Sequence, residues 1–203
     1  MRLRLTPLVV PSIVSLASVC SAQSAAATTQ TPDFRVQVWD SVLADFSARL
    51  SDYSDLRSEL EKGLRPLTVT DDPGEIRRAV RARAKRIRVA RAGAKQGDIF
   101  TPSISVEFRK ALILEMDAST WRAIMDDNPG ELANEINGTY PEGKPLSTVP
   151  PNILAVLPRL PDDIEYRFLG RHLILLDTRA KVILDRIQFA IQSPDCVDLA
   201  CHR

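Results

Sequence analysis

The 203-residue sequence is short of aromatic side chains, histidine and cysteine: aromatics make up 5% of the chain, with two histidines and three cysteines. So few rings exclude base-stacking and sugar-stacking platforms. Two imidazoles and three thiols leave little material for a metal centre, and no cofactor is expected. An excess of one charge is also lacking. The formal net charge is +1, with 26% of residues charged and 44% hydrophobic. That balance excludes a disordered polyelectrolyte and a chain devoted to nucleic acid, and it supplies a core for one domain. No GxSxG, HExxH, P-loop or dinucleotide fingerprint occurs. His172 sits beside a turn, where a surface position is expected, and His202 is one residue from the end. Neither makes a convincing general base, and no catalytic residue is assigned.

One long apolar run is present, and it lies at the start. Arg2 and Arg4 precede Leu5 to Val19, and Cys20-Ser21-Ala22 offers the small residues read by signal peptidase. Residues 1–22 therefore read as a signal peptide cleaved after Ala22. The run is too short, and too interrupted by Pro7 and Pro11, for a spanning helix of roughly 20 apolar residues. The mature chain is expected to be exported, periplasmic or extracellular, with no transmembrane segment. Cleavage leaves Cys196 and Cys201, which in an oxidising compartment are expected to pair. So short a loop constrains the unfolded chain by only about 2 kcal/mol, pinning the tail rather than the fold. A Cys196, Cys201, His202 metal cluster and a pair of free thiols are the alternatives; zinc would want a fourth ligand.

Residues 23–34, rich in Ala, Thr and Gln, read as a flexible leader. Trp39, Val42, Leu43, Phe46, Leu50, Tyr53, Leu60 and Leu64 then recur at steps of three and four, predicting a long helix over about 35–62 stopped by Gly63 and Pro66. Asp72-Pro73 starts a second helix with a narrow seam of Ile76, Ala79, Val80, Ala84, Ile87 and Ala90. The two predict an antiparallel hairpin over 35–95. Over 96–191 the pattern predicts an α+β domain. It has helices from Thr101-Pro102 and around Thr120 to Asp126, and a stiff connector with six prolines between Asn137 and Pro161. Strands follow at Ile164–Phe168, Leu173–Leu176 and Val182–Leu184, with Gly170-Arg171 as a two-residue turn. Residues 192–203 form a tail.

The charge anomaly is the second helix. Nine cations lie between Arg77 and Lys95, against Asp72 and Glu75, so residues 72–95 carry +7. Seven of the cation pairs fall at helical neighbour spacing, a repulsion of about 1.5–3.5 kcal/mol at 0.2–0.5 each. Acids elsewhere can answer it, since residues 96–203 hold sixteen acids against eleven bases. The sharper reading makes Arg77, Arg78, Arg81, Lys85 and Arg88 the contact surface for an anionic envelope component or a partner protein. Two other readings are a hydrolase using carboxylates such as Glu142 or Asp163, and a hairpin that mediates self-association. Asn137-Gly138-Thr139 matches the N-glycosylation pattern, which matters only in a eukaryotic secretory pathway.

The run from Asn137 to Pro151, NGTYPEGKPLSTVPP, is followed by Glu165-Tyr166-Arg167-Phe168-Leu169-Gly170-Arg171, Leu173 to Asp177 and Ile183-Leu184-Asp185. With Gly97 to Pro102, these resemble a group of exported bacterial proteins of uncharacterised function, over about Ala90 to Ile187. The resemblance implies export but no reaction and no catalytic residues. The rhythm of Tyr166 to Ile187 is also similar to small periplasmic proteins of nickel and cobalt homeostasis, though the chain has no matching ligand cluster. The expectation is an exported α+β binding protein.

Overall fold

The computed structural model describes residues 31–64, 70–131 and 135–194. The expected signal peptide and the Cys196, Cys201 and His202 tail lie outside the described residues. Five helices precede a three-stranded antiparallel sheet, an α+β arrangement: α1 (Thr31–Glu61), α2 (Pro73–Ala90), α3 (Pro102–Glu115), α4 (Ala118–Asp126), α5 (Pro151–Val156), β1 (Ile164–Leu169), β2 (His172–Asp177) and β3 (Val182–Ile187). α1 begins four residues before the expected start at Arg35. No described helix is long and apolar enough to cross a membrane.

The capping chemistry follows the local sequence. Asp72 accepts the Gly74 N–H at 2.7 Å before α2, and Asp117 accepts the Thr120 N–H at 2.7 Å before α4. Those bonds, with the Ser119 hydroxyl, hold the Asp117 carboxyl down at about 2. Gly170-Arg171 forms the two-residue β1–β2 turn, pairing Leu169 with His172; Gly170 has φ +56°, and a Cβ there would stand 2.6 Å from the Glu131 side chain.

The sheet is covered on both faces, which is why all six residues of β2 are buried. Leu173 and Leu175 face the larger core with Phe46, Phe100, Phe108 and Ile153. Ile174 and Leu176 face a smaller one with Tyr140, Leu169 and Ile183. Phe108 joins α3 to its neighbours, with ring centroids 5.1 Å from Phe46, 5.6 Å from Phe100 and 6.4 Å from Tyr166.

An irregularity in the β2–β3 register decides where one charge goes. Leu175 pairs with Asp185 and Leu176 with Ile183, leaving Leu184 as an extra residue. Strict alternation from Val182 would send Asp185 to the side of Ile183. The bulge turns it instead toward the larger core. There its fully buried carboxylate accepts the N–H groups of Gly97, Ile99 and Phe100 at 2.7–3.1 Å. The bulged Leu184 carbonyl accepts from the Arg91 guanidinium at 3.0 Å.

His172 is buried, not at the surface as its position beside a turn suggested. Its Nδ1 accepts the Phe189 N–H at 3.0 Å and its ring packs on Phe189, because the chain folds back over the hairpin after β3. Burial pulls its pKa below the ordinary histidine value.

Candidate functional site

α2 sorts its residues by arc. At about 100° per residue, Arg77, Arg88, Arg81, Lys85 and Arg78 fall within roughly a quarter to a third of a turn, and all five are exposed. Of the buried residues, Arg83 lies on the opposite arc and Ile87 toward it, while Ala84 stands at the edge of the cationic arc, about 20° past Arg77. The five residues picked from the sequence are thus brought to one face.

Each cation of the 77–95 stretch has a definite environment. Three have a carboxylate partner: Arg78 with Asp72 at 3.6 Å, Arg81 with Glu142 at 3.1 Å and Arg83 with Glu61 at 3.3 Å. Three donate to carbonyl oxygens, which bind them without cancelling their charge. Arg86 holds the Leu60 and Gly63 carbonyls at 2.8 Å each, capping the end of α1. Arg88 donates to the Asn137 carbonyl at 3.0 Å, and Arg91 to Leu184. For the side chains of Arg77, Lys85 and Lys95 the structure gives no hydrogen bond or ion pair among the described residues. Arg91 also feels the charges of Asp185 and Asp98, so five of the nine keep an uncompensated charge among the described residues.

Arg83 is the buried exception, and it enters a chain of ion pairs. Glu61 bridges it to Arg179 at 3.4 Å, and Arg179 reaches Asp163 at 3.6 Å. Arg57 stands 3.9 Å from Asp163 and 3.7 Å from the fully buried Asp177. Asp177 also accepts the Tyr53 hydroxyl at 2.6 Å. This network ties α1 and α2 to the β2–β3 turn. Burial, and then the Asp177 charge, push the Tyr53 phenol far above its ordinary range.

The segment from Asn137 to Leu146 packs beside the cationic face. Asn137, at φ +63°, donates its side-chain amide to the Arg88 and Arg91 carbonyls at 2.9 and 2.8 Å, closing the end of α2. An N-glycan there would take away one of those bonds. Asn137 and Tyr140 donate their backbone N–H groups to Ile183 and Lys181, and Gly138 accepts from Ile183, so this segment covers the outer edge of β3. The Tyr140 hydroxyl donates to the Pro145 carbonyl across the turn at Gly143.

Between α2 and this turn lies a groove of about 670 Å³. Its walls are Val80 and Ala84 on one side and Tyr140 and Leu146 on the other, with Ala180 between. Arg77, Arg81, Lys144 and Lys181 also line it, and Glu142 is the one carboxylate among its lining residues. A second depression of about 480 Å³ runs along the same helix past Lys85 and Arg88. Lys144 and Lys181 were not singled out from sequence. They are far from α2 in the chain, and the segment's glycines and prolines signalled a turn without saying what it packs on.

The carboxylates considered for hydrolysis have other partners. Glu142 pairs with Arg81, while Asp163 belongs to the Arg57–Arg179 network and does not line the groove. Asp127 accepts both the N–H and the hydroxyl of Thr148 at 2.8 and 2.6 Å. Among the described residues no three His, Cys, Asp or Glu side chains gather as metal ligands. No protein-family model, curated protein or solved structure matches the chain.

Proposed function

We propose that this is an exported envelope protein that acts by binding rather than catalysis, with the Arg77, Arg78, Arg81, Lys85 and Arg88 face as its contact surface for an anionic envelope component. The carrying observation is that these five cations share one exposed arc, and that among the described residues only Arg78 and Arg81 of the five have a carboxylate within ion-pair distance. Both of those pairs are exposed, and exposed pairs are weak and screened by salt. An anionic surface can replace them at little cost. The same reading places the chain among the exported bacterial group it resembles, with residues 1–22 removed and Cys196 paired with Cys201. It takes α1 and α2 as an antiparallel hairpin, supported by the Arg83 and Arg86 contacts beside its turn.

Co-sedimentation of the processed chain with phosphatidylglycerol–phosphatidylcholine vesicles tests the contact surface. Binding is expected at low salt, to fall as salt rises, and to be lost in the Arg77→Gln, Arg81→Gln, Arg88→Gln triple variant. Binding that is absent at low salt, or unchanged in the variant, overturns it. The mass of the protein recovered from the periplasm tests export, with Gln23 expected as the first residue.

A further inference from the structure

The groove beside α2 has a split character that a flat anionic surface would not require. Ala84, Tyr140 and Ala180 are almost fully buried, and Val80 and Leu146 are half-buried, so the floor is apolar. Two of the polar features at the floor are already engaged, while the exposed Thr139 hydroxyl is left at the rim. The Tyr140 hydroxyl donates to Pro145, and the nearby edge of β3 is paired with residues 137–140. An extended peptide therefore has no strand edge to join at this place. The charges come from Arg77, Arg81 and Lys144, all exposed, and Lys181, against Glu142 alone. About 670 Å³ falls within the roughly 300–1,000 Å³ of small-molecule sites.

An apolar floor edged by four cations and the Thr139 hydroxyl complements a flexible hydrocarbon chain ending in one anion. We infer that the groove binds a long-chain fatty acid, its carboxylate among Arg77, Arg81 and Lys144 and its chain along Val80, Ala84, Tyr140 and Leu146. The Arg81–Glu142 pair spans the two walls of the groove; the incoming carboxylate replaces Glu142 as the partner of Arg81. The inference rests on the proposed binding function and names a ligand for part of the same surface.

Calorimetric titration of the processed chain with dodecanoate below its micellar concentration tests the inference, with dodecanol and acetate as probes lacking the charge and the chain. Dodecanoate is expected to bind, and both controls about tenfold or more weakly. Val80→Asp places a carboxylate in the floor, and Lys144→Glu reverses a rim charge on an exposed turn that tolerates it. Each is expected to weaken dodecanoate about tenfold or more. The Arg78→Gln, Lys85→Gln, Arg88→Gln variant changes only cations outside the groove lining. It should keep dodecanoate binding within about twofold while losing vesicle binding. Failure of dodecanoate to bind, equal binding of dodecanol, or equal binding to Lys144→Glu overturns the groove assignment. If vesicles still bind in that case, the contact-surface reading stands; if neither probe binds, both fall.

Discussion

The Oδ2 atom of Asp185 lies 2.7 Å from the backbone nitrogen of Phe100, and the same oxygen accepts the Ile99 N–H at 2.8 Å. A fully buried carboxylate on β3 thus satisfies consecutive donors of the loop leading into α3. With Gly97, at φ +92°, also donating to it, the carboxylate explains why this loop can lie against the core without a strand partner. Asp185→Asn keeps the shape but replaces an acceptor oxygen with a donor facing donors. The expected cost is about 3 kcal/mol in urea unfolding. A loss under about 1 kcal/mol would mean that the loop is held by its apolar contacts instead.

The alkaline limb of stability is set by phenols. All three tyrosines, Tyr53, Tyr140 and Tyr166, have pKa values raised by burial, with the Asp177 charge adding to the effect at Tyr53. A raised folded-state pKa means that the unfolded chain loses these protons first. Stability is therefore full below the ordinary tyrosine pKa of about 10 and declines as pH rises above it. Phenolate absorption is expected to appear together with loss of circular dichroism. Phenolate forming at about pH 10 in a chain that stays folded would contradict the buried Tyr53–Asp177 bond.

His172 sets a contribution at the acid side. Its Nδ1 accepts the Phe189 N–H only when the ring is unprotonated at that atom, and its folded-state pKa is depressed by burial. The unfolded chain therefore takes up the proton first. The contribution is complete above the ordinary histidine pKa of about 6.5 and is lost as pH falls through the lowered folded value. Unfolding midpoints of the wild type and His172→Phe are expected to converge as pH drops through this window. Parallel pH profiles would show that the imidazole does not titrate with folding.

Lys85 trades stability for charge. Arg81 and Arg88 are its neighbours at helical spacing, and its side chain has no ion partner among the described residues. Lys85→Gln removes two like-charge contacts, so a gain of about 0.4–1 kcal/mol is expected at low salt and should vanish at high salt. Vesicle affinity should fall in the same variant. A loss of stability at low salt would place an acidic partner beside Lys85.

Phe108 measures the core that holds these features in place. It is fully buried and contacts the rings of Trp39, Phe46, Phe100 and Tyr166. Phe108→Leu keeps the site apolar but gives up those ring contacts, and a loss of about 1–3 kcal/mol is expected in thermal or urea unfolding.

Much of the α+β layout was legible because it is written in local terms. Apolar spacing marked α1, Asp72-Pro73 and Thr101-Pro102 marked the starts of α2 and α3, and alternation around Gly170-Arg171 marked β1 and β2. The cationic face was legible for the same reason, since Arg77, Arg81, Lys85 and Arg88 follow one another at helical steps. Fully buried β2 was readable as a strand but not as a two-sided one, because the residues that cover its second face come from the proline-rich segment.

By itself the sequence determined the helical and extended segments, the +7 stretch and its concentration on one arc, because periodicity and capping act over a few residues. Only the tertiary structure decided which cations are uncompensated, that Asp185 turns toward the Gly97–Phe100 loop, that His172 is buried, and that Lys144 and Lys181 join Arg77 and Arg81 around one groove. Those outcomes depend on a one-residue bulge at Leu184 and on residues 137–146 lying between β3 and α2. Such relations join segments far apart in the chain, so no spacing along it records them.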